Sequence, residues 1–79
     1  MRGKRMIVSV IFHDGATDTY GGRSYTYRTE LPLKQFEKVL CPTYKGLKKG
    51  LVTRVNVPET EIDPAWADRV KEIKERDLG

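Results

Sequence analysis

Lys38-Val-Leu-Cys-Pro-Thr-Tyr-Lys-Gly-Leu-Lys-Lys-Gly-Leu-Val-Thr-Arg-Val55 reads as a strand, a tight basic loop and a second strand. Val39, Leu40, Val52 and Val55 supply the apolar strand positions, and the loop spans Thr43 to Gly50 with Tyr44, Lys45, Lys48 and Lys49. A hairpin that carries an aromatic ring among cations at its tip suits a partner that is anionic and flat.

The flanking segments repeat the strand signal. From Arg5 to His13, Met6, Val8, Val10 and Phe12 alternate with Ile7, Ser9 and Ile11, so both faces are largely apolar, as in a strand covered on two sides. Asp14 to Gly22 has the composition of a loop. From Arg23 to Leu31, Tyr25, Tyr27, Thr29 and Leu31 share one face and Ser24, Thr26, Arg28 and Glu30 the other, the half-buried pattern of an antiparallel strand. Pro32 ends it, and Leu33-Lys-Gln-Phe36 forms a connector. Glu37 to Pro42 is the third expected strand and Gly50 to Val57 the fourth, closed by Pro58.

The period then changes. Asp63 is a candidate helix cap, Pro64 fits the first helical position, and Trp66, Val70 and Ile73 recur at i, i+4 and i+7. Asp68 with Lys71, Lys71 with Glu75, and Glu72 with Arg76 stand at the spacing of helical surface pairs. These signals predict a helix over 63–77 that lays Trp66 on Val8, Val10 or Val55. The expected fold is a mainly β single domain over 1–79: a small bent antiparallel sheet of four or five strands over 1–57, Src-homology-3-like or OB-like, closed by a C-terminal helix.

Size and composition narrow the rest. A chain of 79 residues buries a small core, and with one cysteine, Cys41, and one histidine, His13, it holds neither an internal disulfide nor a four-ligand zinc site. No apolar run is long enough to span a bilayer. The basic start, Met1 to Met6, lacks a following cleavage site, and the expectation is a cytoplasmic protein. The net charge of +4 is uneven: residues 1–57 carry +7 and residues 58–79 carry −3. A basic body with an acidic tail implies either an anionic partner or a tail packed on the basic surface.

Gly22-Arg-Ser-Tyr-Thr-Tyr-Arg-Thr-Glu-Leu31, an apolar connector, Lys38-Val-Leu-Cys-Pro-Thr43, a basic loop and Gly50-Leu-Val-Thr-Arg-Val55 together resemble small phage and prophage barrel proteins. The same layout is similar to the N-terminal DNA-binding domain of the primosomal replication helicase, with Phe36-Glu37 standing where that family turns with Gly-Asp. The resemblance implies a small barrel and DNA binding.

Catalytic material is thin. His13, Asp14 and Cys41 are the only pieces of a cysteine–histidine site, and Cys41, in a strand before Pro42, fits a core position. Asp14 and Asp18 lack the ligand spacing of a calcium loop, and Gly21-Gly22 lacks the lysine and helix of a phosphate loop. The chain therefore reads as a non-enzymatic binding module without a cofactor, its candidate nucleic-acid contacts being Tyr44, Lys45, Lys48, Lys49, Arg54, Arg28 and Arg23. Tyr25 and Tyr27 fit either as base-stacking rings or as core fillers. The alternative is a phage adaptor or inhibitor that meets an acidic protein surface, with the helix packed on its own barrel, on a partner or on a second copy.

Overall fold

The computed structural model describes residues 5–65 and 70–78. Four strands, β1 (Met6–Asp14), β2 (Thr19–Thr29), β3 (Lys38–Thr43) and β4 (Gly46–Arg54), are joined by a short 3-10 turn (Glu59–Glu61) to two two-residue strands, β5 (Glu72–Ile73) and β6 (Glu75–Arg76). All six belong to one sheet in the order β5-β2-β1-β4-β3-β6. The mainly β expectation stands. The ladder is not closed into a barrel, but its two outer strands are consecutive pieces of one segment, separated by Lys74 alone.

That segment corrects the largest expectation. No helix forms over 70–77, where the chain is extended. β5 runs parallel to β2, β6 runs antiparallel to β3, and the ends are fixed by Arg28 N–H donating to Lys71 O (2.9 Å) and Asp77 N–H donating to Lys38 O (3.1 Å). Ile73 is completely buried, and its carbonyl accepts the Thr29 hydroxyl at 2.9 Å. The physical reason is tertiary. An isolated helix of this length is marginal in water, whereas two sheet edges present unpaired backbone groups that an extended segment satisfies. The expected helical ion pairs are replaced by long-range ones, Arg5–Glu72 at 3.6 Å and Arg76–Glu37 at 2.5 Å. Trp66 lies outside the described residues.

β1 is the central strand. Val8 and Val10 are fully buried with Tyr27, Val39, Cys41, Val52, Leu33 and Ile73, and Met6, Phe12, Leu31 and Val55 pack around this cluster. Its other face is covered too: Ile7 and Ser9 are buried, and Val57, itself buried, donates its N–H to Ile7 O. This matches the two-sided apolar pattern of the strand.

Register breaks curl the sheet. Val10 pairs with Tyr25 but Phe12 pairs with Gly21, so the β2 residues between them, Gly22 with φ 84° included, bulge out. Gly21 and Gly22, expected in a loop, are therefore inside β2, and the turn before it is confined to 15–18. A bulge increases local twist and bend. A second break lies between Ser9↔Arg54 and Val10↔Val52, where Thr53 Oγ1 donates to Ser9 O at 3.2 Å.

The β3–β4 hairpin is tighter than its composition implies. Thr43 pairs with Gly46, leaving Tyr44-Lys45 as the turn. Thr43 Oγ1 donates to Gly46 O (2.6 Å) and accepts Lys45 N–H (3.2 Å), and Gly46 takes φ 107°, a conformation that suits glycine. The expected 43–50 loop is thus a correction: Lys48 and Lys49 sit on a strand.

Candidate nucleic-acid interface

At one end of the core the apolar filling gives way to an open groove of about 640 Å³. β1 contributes Phe12, β2 contributes Tyr25, Thr26 and Tyr27, the β3–β4 hairpin contributes Pro42 to Lys45 with Leu47 and Lys48, and the C-terminal segment contributes Lys71. The strand registers explain the convergence. Lys48 pairs with buried Cys41 and so projects from the core face. Its ammonium stands 5.0 Å from the Phe12 ring centre. The bulge in β2 brings Tyr25 onto Phe12, the rings stacked with centres 4.8 Å apart.

The two tyrosines read together in β2 have different fates. Tyr27 is core: its hydroxyl donates to Pro42 O at 3.1 Å, and burial, with smaller contributions from Cys41 and Tyr25, pushes its pKa up to about 12. Tyr25 remains 43% exposed in the groove, and Tyr44, at the hairpin tip, is 87% exposed with the Lys45 ammonium 5.6 Å from its ring centre. The groove therefore presents two exposed tyrosine rings, one of them backed by Phe12, beside Lys45, Lys48 and Lys71. Among the described residues no ion pair engages these lysines.

Four of the expected contacts are not brought to this site. Lys49, next to Lys48 on β4, faces the opposite side of the sheet, beside His13, Tyr20 and Lys38. Arg54 is held by Glu61 through two hydrogen bonds (2.9 and 3.1 Å), which raise the arginine's pKa and lower that of the carboxylate. Arg28 is paired with Glu59 at 2.8 Å. Arg23 lies in a neighbouring depression with Glu61 and Asp63. Arg5, Arg28 and Arg54 are thus met by Glu72, Glu59 and Glu61 of the acidic C-terminal part, whereas Lys45, Lys48 and Lys71 of the groove enter no ion pair among the described residues.

Two groove residues escaped the sequence reading. Phe12 read as core, since it continues the Val8–Val10 face. Lys71 read as a helical surface residue. The contact of Phe12 with Tyr25 depends on the bulge in β2, and no local signal marks Lys71.

The remaining chemistry-bearing residues are accounted for structurally. Cys41 is fully buried, and burial pushes its thiol up to about 12. His13 Nε2 lies 2.9 Å from Asp18 Oδ1, and Asp14 Oδ1 accepts the Ala16 N–H in the same turn. Among the described residues no group of three or more histidine, cysteine or acidic side chains is placed to hold a metal ion, and no helix is long and apolar enough to cross a membrane.

Compared with known protein families, curated proteins and solved structures, the chain finds no match.

Proposed function

We infer that this chain is a small, non-enzymatic module that binds single-stranded nucleic acid, stacking unpaired bases on Tyr25 and Tyr44 while Lys45, Lys48 and Lys71 meet the phosphates. The observation that carries this reading is the convergence, in one open groove, of two exposed tyrosine faces with three lysines that have no carboxylate partner among the described residues. Stacking needs a base face that a duplex does not offer, and each stacked base is worth about 1–3 kcal/mol.

Anisotropy of an end-labelled single-stranded oligonucleotide tests the reading. Tyr44→Ala weakens binding by about 1–3 kcal/mol and, the ring being exposed, leaves stability within about 0.5 kcal/mol. Phe36→Ala serves as the contrast. Phe36 lies outside the groove, is 68% exposed and has φ 70°, and it is the residue that favours the second reading, an adaptor acting through protein contacts. Equal affinity of parent and Tyr44→Ala would remove the stacking account.

A further inference from the structure

A second depression borders the groove. Leu40, Pro42 and Leu47 provide apolar surface in it, and Lys71, Glu72, Lys74 and Glu75 of the C-terminal segment provide its charged residues. Pro42, Leu47 and Lys71 belong to both depressions, so they form a common border. Lys71 and Lys74 lie on the same short segment, one at the border and the other beyond it. Glu72 is directed to Arg5 at 3.6 Å, which offsets its carboxylate, while Glu75 is exposed. The second depression thus offers apolar faces from proline and leucine and one additional ammonium, Lys74, with the exposed Glu75 carboxylate standing across from Leu40 at its far side.

We propose that the second depression is a continuation subsite of the groove, in which the same single strand, after crossing Lys71, lays its next base on Pro42, Leu47 and Leu40 and contacts Lys74 through a phosphate. This rests on the nucleic-acid reading above and extends it: the bound strand is longer than the two tyrosines alone would hold, and its path follows the C-terminal segment.

The test compares a thymidine tetramer, whose three internucleotide phosphates match the three groove lysines, with a thymidine hexamer, both single-stranded and end-labelled, on the full chain across a range of salt. The hexamer offers more binding registers, which raises its affinity whatever its path, so the readout is the salt slope rather than the affinity. Each phosphate contact on a single strand adds about 0.7 to the magnitude of the log–log slope. The expected result is a slope steeper by about 0.7 for the hexamer than for the tetramer, the difference vanishing in Lys74→Ala and persisting in Lys34→Ala, a lysine that lines neither depression. Equal slopes for the two lengths, or a difference that Lys74→Ala leaves intact, overturn the extension while the groove keeps its base-stacking role. Failure of both lengths to bind the parent overturns the extension and the function it rests on together.

Discussion

Phe36 is held in a left-handed conformation, φ 70°, with most of its ring in solvent. Its N–H donates to Val52 O at 2.7 Å, so the strand entry into β3 fixes the backbone there. A left-handed backbone costs a residue with a side chain about 1–2 kcal/mol, and glycine removes that cost at about 0.5–1 kcal/mol of chain entropy. Phe36→Gly should therefore leave stability unchanged or raise it by up to about 1.5 kcal/mol, as read from the denaturation midpoint. A clear loss would show that the ring contributes packing greater than the strain. Glu37, the next residue, illustrates the charge side. The Arg76 side chain and the Lys34 N–H both donate to its carboxylate, holding its pKa below the ordinary value of 4.5. A carboxylate whose folded pKa is depressed stabilises the fold above its unfolded pKa and loses that stabilisation as pH falls. Below about pH 4.5 the parent should lose thermal stability more steeply than Glu37→Gln. Parallel pH profiles would mean that the Arg76 contact adds nothing.

At the scale of elements, the C-terminal segment carries the most consequence. Ile73 is buried with no exposure, between the ends of β2 and β3, and among the described residues of that segment no other side chain belongs to the core cluster. Ile73→Ala should cost about 2–5 kcal/mol, a large part of the 5–15 kcal/mol typical of a domain, and the amides of Arg28 and Asp77 should lose hydrogen-exchange protection ahead of β1. Retention of protection at both amides would contradict the role assigned to the segment. This is also where sequence reading failed. Trp66, Val70 and Ile73 have helical spacing, and so do the charge pairs around them. Local periodicity reports only what the segment could do alone. It holds no record of two unpaired sheet edges elsewhere in the chain. The main strands were legible because burial writes a pattern into the sequence: alternation where one face is buried, as in the second half of β2, and an apolar run on both faces of β1, which is covered on two sides. The hairpin tip was legible in Tyr44 and Lys45, but the strand character of Lys48 and Lys49 was not, since lysines on a strand end look like a loop. Arg28 and Arg54 read as binding residues because their acidic partners, Glu59 and Glu61, follow in a turn whose placement only the fold decides.

Across the described residues, three acidic groups of the last third of the chain, Glu59, Glu61 and Glu72, meet arginines of the body, and Lys45 and Lys48 at the open end of the core stand beside rings. A net positive chain of this kind attracts anions broadly, so affinity for nucleic acid alone would say little. The account makes a narrower claim, that binding occurs in the groove, on single strands, through three lysines and two tyrosine faces. The direct test is the salt dependence of binding to a short single strand and to the duplex of the same sequence. With Lys45, Lys48 and Lys71 each meeting a phosphate, the log–log slope for the single strand should be about −2, and the single strand should bind more tightly than the duplex at every salt concentration, a preference lost in the Tyr25→Ala, Tyr44→Ala double variant. Equal binding of single strand and duplex, unchanged in that variant, would show attraction to a basic surface without a groove, and would contradict the account.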